Sequence, residues 1–230
     1  MGPPEAAHGA DRADAPDVSR ETSKLPAVIS PREVAGAATR LGFQVDQLQA
    51  EKLARFGSAL ASRGVELGVV AASDASVILE RHVLDSLRGV RAVRAADRNA
   101  YDLGSGGGLP GVPIAIALPW LRVALVETRR RRAAWLELVV EDLSLPNVPV
   151  LPGRIEDLTE PVDVCFARAL GPLERSWAAA RPLLRSGGRL AYFAGAGFDR
   201  AGFDDPSAKL HILDEPDLES GGPVVIIALQ

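Results

Sequence analysis

The chain has 230 residues, 47% hydrophobic and 24% charged, which is typical of a globular protein and argues against a disordered chain. The net charge of −4 excludes a protein whose whole surface is a basic nucleic-acid coat, so any basic footprint must be local. The single cysteine, Cys165, excludes an internal disulfide, and its apolar surroundings predict a buried thiol. We expect a cytoplasmic protein without a membrane span, because the sequence shows neither an apolar signal segment nor a run of roughly 18 apolar residues.

Residues 1–29 are rich in Ala, Pro, Asp and Gly without periodicity, which predicts a disordered tail. A helix is then predicted from the N-cap Ser30 to Gly42, because Pro31 stands at the first helical position. Apolar residues at helical spacing predict two further helices, over 46–64 and 74–93. Residues 30–96 are therefore predicted to form a small N-terminal helical lobe.

The pattern changes near residue 99, where short apolar runs begin to alternate with helical stretches. Strands are predicted at 99–103, 122–127, 148–153, 162–170 and 187–195, with helices after several of them, and "KLHILDE" and "PVVIIALQ" end the chain as a strand pair. Alternating strands and helices predict an α/β fold with a Rossmann-like, doubly wound parallel sheet over residues 97–230. The antiparallel terminal strands distinguish a class I methyltransferase sheet from a plain dinucleotide fold.

A glycine-rich turn follows the first predicted strand in "DLGSGGGLPGVPIAIALP". Gly104, Gly106 and Gly108 let the backbone turn sharply and approach a ligand at the carboxyl end of the sheet. In dinucleotide folds the helix opens directly at the third glycine, whereas here a Leu-Pro-Gly-Val-Pro segment intervenes and broadens the loop. This favours a bulkier or less charged ligand than a pyrophosphate, although a glycine motif alone is a weak signal.

The next strand ends in Glu127, about 20 residues beyond the turn. A carboxylate there can accept two hydrogen bonds from a ribose diol, which fits both NAD and S-adenosyl-L-methionine, or it can simply face solvent. In "GRIEDL" after the third strand, Ile155 could pack on an adenine ring and Glu156 could bond its edge.

The sequence leaves two interpretations open for the arginine run 129–132 and two for Arg168. The arginines "RRRR" (129–132) oppose the macrodipole of the helix they begin, so they either meet nucleic-acid phosphate or are solvated and paired with Glu127 and Glu137. Arg168 ends an apolar strand, where a buried charge needs a partner. It is expected to serve a site or to form an ion pair with Asp102 or Glu127.

The glycine block, "GRIEDL", "FARAL" and the upstream "ERHVLDSL" together resemble the glucose-inhibited division protein B family over residues 46–195. Members of that family, called RsmG, are small-subunit ribosomal RNA guanine-N7 methyltransferases. The resemblance implies a class I fold, S-adenosyl-L-methionine as methyl donor, and 16S ribosomal RNA or the 30S particle as acceptor. We expect a monomer and no metal ligand set.

The resemblance also implies the site residues. Arg168 and His82 are the catalytic candidates, and His82 lies with Asp85 on a helix that closes over the cleft, although a helix-packing histidine is the equal alternative. The candidate cofactor-binding residues are Asp102, Gly104, Ser105, Gly106, Gly108, Leu109, Glu127, Thr128, Ile155, Glu156 and Arg168. Guanine N7 carries a lone pair and no proton, so its methylation needs no general base. Arg168 would orient the base through O6 or a phosphate, or contact the cofactor carboxylate.

The sequence departs from the family pattern at two places. Gly68, Val69 and Val70 replace an Asn-Leu-Thr segment, and Ala194 with Gly195 replaces a Lys-Gly pair. Two alternatives follow from these departures. The first is an S-adenosylmethionine-fold protein that binds RNA or ribosomes with lost or altered activity, and the second is a methyltransferase acting on a small molecule or a protein. A nicotinamide dehydrogenase fits the terminal strand pair and the Leu-Pro-Gly block least.

Overall fold

The computed structural model describes Gly2 and residues 28–199, 203–213 and 222–230. The predicted tail over 1–29 lies almost wholly outside the described residues, and so does the acidic connection between the last two predicted strands. The predicted disorder of the tail stays a prediction.

Two capped helices open the described chain. α1 (Pro31–Arg40) begins at Ser30, whose hydroxyl accepts from the Glu33 amide while the Glu33 carboxylate accepts from the Ser30 amide. α2 (Gln47–Ala59) begins at Asp46 with the same reciprocal arrangement to Gln49, and it continues through a π-helical segment, Leu60–Gly64. Each box satisfies amides that a helix start leaves unpaired, which confirms the predicted start at Ser30.

The predicted third helix over 74–93 is instead a chain of short segments with different helical geometries. The segments are the 3₁₀ helix Ala72–Val77, the π-helical Leu79–Leu84, α3 (Asp85–Leu87) and the 3₁₀ helix Arg88–Ala92. π-Helical turns are frequent at functional sites, and the segment Leu79–Leu84 carries His82.

Seven strands form one sheet in the order β3-β2-β1-β4-β5-β7-β6. The strands are β1 (Asn99–Leu103), β2 (Arg122–Glu127), β3 (Val150–Pro152), β4 (Val162–Arg168), β5 (Leu184–Phe193), β6 (Ala208–Leu213) and β7 (Val224–Leu229). β1 to β5 pair in parallel, and β7 pairs antiparallel with both β5 and β6. This confirms the predicted α/β sheet with its antiparallel terminal strands.

Both faces of the sheet are covered, as parallel strands require. The helical segments of the N-terminal region pack with α4 (Gly111–Ala117) and α5 (Arg130–Asp142) on one face, where Phe56, Leu125 and Phe166 share one core. α6 (Leu173–Ala180) covers the other face. The division into a helical lobe (30–96) and a sheet domain (97–230) stays a prediction.

The second core contains Cys165, which has no exposed surface. Burial raises the pKa of its thiol, so the predicted buried thiol is confirmed. Among the residues that the structure describes, no helix is long and apolar enough to cross a membrane.

Candidate functional site

The glycine loop joins β1 to α4 at the carboxyl end of the sheet. Gly104, Gly106 and Gly108 have φ angles of +73°, +56° and +96°, a left-handed conformation that side chains disfavour. This confirms the predicted need for glycine at these positions. A Cβ on Gly106 would meet no atom closer than 3.8 Å, so the loop leaves open space where a ligand can approach the backbone.

The loop is fixed to the end of β2. The amides of Gly104 and Ser105 both donate to the Val126 carbonyl, each at 3.0 Å. Glu127 is 5% exposed, and its carboxylate accepts from the Gly106 amide at 3.0 Å and from the Arg129 amide at 2.8 Å. Glu127 therefore does not face solvent. It shapes the loop and stands at the strand end from which a ribose diol would be bound.

Asp102 lies beneath the loop and is 1% exposed. One oxygen accepts from the Gly111 amide at 3.1 Å, whereas Oδ1 has no hydrogen-bond partner. Burial raises the pKa of this carboxyl group to about 7, because the charged form is poorly solvated there. Ser105 supports the turn rather than the cleft, since its hydroxyl donates to the Asp102 carbonyl at 2.9 Å.

Two side chains enclose the middle of the loop. Trp135 on α5 donates its indole N–H to the Gly107 carbonyl at 3.2 Å. On the other side, a Cβ at Gly107 would lie 3.4 Å from the Val69 carbonyl oxygen. The departure at Gly68, Val69 and Val70 is therefore not remote from the cofactor candidates, because its central residue packs on their loop.

The remaining cofactor candidates surround the same edge of the sheet. Leu109 is half-buried on the core at the end of the loop, and Thr128 is exposed directly after β2. Ile155 is half-buried against the second core and Glu156 is exposed, both on the short helix Ile155–Asp157 that follows β3. An apolar residue beside an exposed carboxylate fits the predicted contact with an adenine face and edge.

A pocket of about 420 Å³ opens beyond the ends of β4 and β5. Its walls come from the π-helical segment, from the residues after both strands, and from Gly222 before β7. Ala194 and Gly195 line it, so the second departure from the family pattern lies in the pocket wall. Leu170, which directly follows the pocket-lining Ala169, approaches the glycine loop, because a Cβ on Gly104 would lie 3.0 Å from its Cδ1.

Arg168 crosses from the end of β4 to the helical segment above it. Its guanidinium lies 3.3 Å from the Asp85 carboxylate and donates to the Arg81 carbonyl at 2.8 Å. The expected ion-pair partners, Asp102 and Glu127, are wrong, because α3 brings Asp85 over the strand end. Burial lowers the pKa of Arg168, while the nearby Asp85 carboxylate acts in the opposite direction.

Each ring nitrogen of His82 contacts a charged side chain. Nδ1 lies 3.2 Å from a guanidinium nitrogen of Arg168, and Nε2 lies 3.0 Å from the Asp74 carboxylate. The predicted catalytic pair is thus in direct contact. Asp74 was not among the predicted site residues, because it lies eight residues before His82 and only the broken helical segment brings the two together.

The arginine run begins α5 as predicted. Arg129, Arg130 and Arg131 are exposed, and Arg132 is half-buried. Within the described part of the chain no ion pair joins these arginines to Glu127 or Glu137. Glu127 instead accepts from the Arg129 backbone amide.

Comparison with known proteins decides the family. The family described as "rRNA small subunit methyltransferase G" (GidB) matches residues 49–199. A protein of that name from Acidiphilium cryptum is 37% identical over 194 residues, which are 83% of this chain and 82% of the relative. The chain belongs to the rRNA small subunit methyltransferase G family. A second relative of that name, from Nocardioides, is 38% identical over 78% of this chain and 68% of its own length.

Solved structures support the fold of this methyltransferase G family member independently. An O-methyltransferase from Bacillus cereus, solved with SAH, superposes with a TM-score of 0.56 at 16% identity, covering 86% of this chain and 97% of its own. The O-methyltransferase TomG from Streptomyces achromogenes, solved with SAM, gives a TM-score of 0.53 at 18% identity, covering 86% and 96%. The fold is that of a class I methyltransferase, and the family uses S-adenosyl-L-methionine.

Proposed function

We propose that the protein transfers a methyl group from S-adenosyl-L-methionine to N7 of a guanine in 16S ribosomal RNA, with the base held in the pocket beside Arg168. One observation carries the choice of acceptor atom. Every acid or base among the described residues that line the pocket is already engaged: Asp74 with His82 and Arg81, His82 with Arg168, Asp85 with Arg168 and Arg88, and Tyr192 with the Gly171 carbonyl. An acceptor with a lone pair and no proton needs no free general base.

The residues of the glycine loop fit the cofactor. The open space before Gly106, the Glu127 carboxylate at the end of β2 and the half-buried Ile155 after β3 would hold its methionine, ribose and adenine parts. Asp102 supplies a buried oxygen without a partner beside them. When bound, S-adenosyl-L-methionine supplies an electrophilic methyl group on a cationic sulfur.

Arg168 is proposed to orient the acceptor. A guanidinium matches the O6 and N7 edge of guanine, but a bond to N7 would occupy the lone pair that must attack, so O6 is the suitable partner. Holding the two reactants in line accounts for up to roughly 7–11 kcal/mol of a barrier. Positioning therefore supplies the catalysis that a general base does not.

The proposal is tested with labelled S-adenosyl-L-methionine and three acceptors: 30S particles, naked 16S ribosomal RNA and a small-molecule extract. We expect label in 16S ribosomal RNA, located by chemical cleavage at N7-methylguanine. Cofactor binding without transfer would indicate a protein that binds RNA without methylating it. Label only in small molecules would indicate another substrate class.

Two variants localise the activity. Arg168→Ala is expected to lower the transfer rate on the order of 100-fold, the size expected when reacting groups are misplaced by about 1 Å. Arg122→Gln is the matched control, because Arg122 is an exposed arginine at the opposite end of β2. If Arg122→Gln loses as much activity as Arg168→Ala, the loss does not identify the pocket beside Arg168 as the acceptor site, and that part of the proposal is overturned.

A further inference from the structure

The contacts of His82 leave a single protonation form for its imidazole. An arginine can only donate hydrogen bonds, so Nδ1, 3.2 Å from Arg168, must accept. An ionised carboxylate can only accept, so Nε2, 3.0 Å from Asp74, must carry the proton. The ring is therefore neutral: the Arg168 contact requires an unprotonated Nδ1, and the Asp74 contact requires the proton on Nε2.

The geometry points to Asp74 as a positioning residue. We propose that Asp74 holds the proton of the neutral His82 ring on Nε2 and so directs the Nδ1 lone pair at Arg168, which fixes the guanidinium in the pocket wall. The inference deepens the proposed function, since it rests on Arg168 orienting the acceptor. Asp74 acts through His82 and contacts no reacting atom.

Three charged groups act on this ring from the elements around it. Asp74 lies on the 3₁₀ helix Ala72–Val77, Arg168 at the end of β4, and Asp85 on α3. Arg81, 3.8 Å from Asp74, is half-exposed at the rim. Burial and then Arg168 lower the pKa of His82, whereas Asp74 and Asp85 raise it.

Protonation of His82 would undo the arrangement. A protonated imidazole donates from both nitrogens, so Nδ1–H would meet a guanidinium that can only donate. Arg168 would lose that contact and face a like charge. The rate of methyl transfer is therefore expected to fall on the acid side as His82 takes up a proton.

Two variants of Asp74 separate its geometry from its charge. Asp74→Asn keeps an oxygen that accepts from Nε2–H but removes the negative charge, whereas Asp74→Ala removes both. Ser76→Ala is the matched control, since Ser76 is exposed on the same 3₁₀ helix. All three are assayed for kcat and KM with the RNA acceptor across pH 5–9, and for cofactor affinity.

We expect Asp74→Ala to lower kcat at neutral pH about 10-fold with unchanged cofactor affinity, and Asp74→Asn to retain at least half of the wild-type value. Both variants should shift the acid limb of the plot of kcat against pH to lower pH, because both remove a negative charge that favours the protonated imidazolium. A purely structural role would lower activity without moving that limb. Ser76→Ala should match the wild type in both respects.

Nitrogen-15 NMR of labelled histidine gives a readout independent of turnover. The wild type should show His82 as the neutral Nε2–H tautomer at pH 7, assigned by loss of the signal in His82→Gln. A Nδ1–H tautomer, or Asp74 variants with wild-type kcat and acid limb, would overturn the inference while wild-type methylation left the proposed function standing. A wild type that shows this tautomer but methylates no RNA would overturn the proposed function, and with it the inference.

Discussion

Oδ2 of Asp85 lies 3.3 Å from Nη1 of Arg168, and this ion pair joins the helical segment above the sheet to the end of β4. The other oxygen of Asp85 lies 2.8 Å from Arg88, and both members of that second pair are almost fully buried. A single carboxylate thus contacts two arginines, one of which lines the candidate acceptor pocket.

Removal of Asp85 should be costly because it takes away the carboxylate that the buried Arg88 and the largely buried Arg168 both contact. We expect Asp85→Ala to lower the free energy of unfolding by about 3 kcal/mol, as breaking a buried pair does. Asp142→Ala breaks the exposed pair with Arg55 (2.8 Å) and should cost about 1 kcal/mol or less. Urea unfolding measures both, and equal losses would contradict the buried role of Asp85.

Glu127→Gln should weaken cofactor binding. Both carboxylate oxygens accept from backbone amides, those of Gly106 and Arg129, and a glutamine can accept only one of these bonds while its NH₂ faces the other N–H. We expect the affinity for S-adenosyl-L-methionine to fall at least about 10-fold, which is 1.4 kcal/mol. Isothermal titration measures it, with the exposed Glu137→Gln on α5 as control. Unchanged affinity would remove Glu127 from the cofactor site.

Asp102 predicts a pH dependence of stability. Burial raises the pKa of this carboxyl group from 3.8 to about 7, so between those values the folded protein holds a proton that the unfolded chain has released. The contribution of Asp102 to stability is therefore full below about pH 4 and is lost as the pH rises through 7. Asp102→Asn does not titrate and should flatten this decline. Unfolding free energies measured from pH 4 to 8 that fall equally in both proteins would show that Asp102 is ionised when folded.

Gly106 in the loop and Gly111 at the start of α4 should respond differently to substitution by alanine. A Cβ at Gly111 would lie 2.5 Å from Cδ2 of Leu125 and 2.6 Å from the Asp102 carboxylate, so Gly111→Ala should lower stability by about 1–3 kcal/mol through overpacking. Gly106 has open space, and its φ of +56° predicts a cost of only about 1–2 kcal/mol.

Gly106→Ala should lose more cofactor affinity than Gly111→Ala, which is the reverse of their order in stability. Gly106→Ala places its methyl group where the ligand approaches the backbone, so its affinity loss should exceed its stability loss. Thermal unfolding and titration with S-adenosyl-L-methionine measure the two effects. Full cofactor affinity in Gly106→Ala would place the ligand elsewhere.

The arginines that begin α5 should contact RNA phosphate. Arg130 is exposed at the helix start, three residues after the end of β2, whereas Arg122, also exposed, lies at the opposite end of that strand. Each phosphate contact contributes about 0.7–0.9 to the slope of log affinity against log salt. Arg130→Gln should lower the slope by about one contact and Arg122→Gln should leave it unchanged. A wild-type affinity that hardly varies with salt would reject the phosphate interpretation.

The sequence by itself determined most of the sheet and the position of the cofactor candidates. Strand alternation, Ser30 at the first helix and glycines at 104, 106 and 108 are local signals, because they reflect periodicity, capping and backbone conformation within a few residues. The motifs around "DLGSGGGLPGVP" also indicated the family before any contact was known. These features can be predicted from the sequence because each depends on residues that are near neighbours in the chain.

Only the tertiary structure decided which side chains meet at the acceptor pocket. The segment predicted as one helix changes its hydrogen-bonding period three times, and the resulting path brings Asp85 to Arg168. The sequence had offered Asp102 and Glu127, at the ends of β1 and β2, as the ion-pair partners instead. Asp74 carries no recognisable motif and reaches His82 only through that irregular path. Partner choice among charged side chains depends on the packing of distant elements, and no local pattern in the sequence encodes that packing.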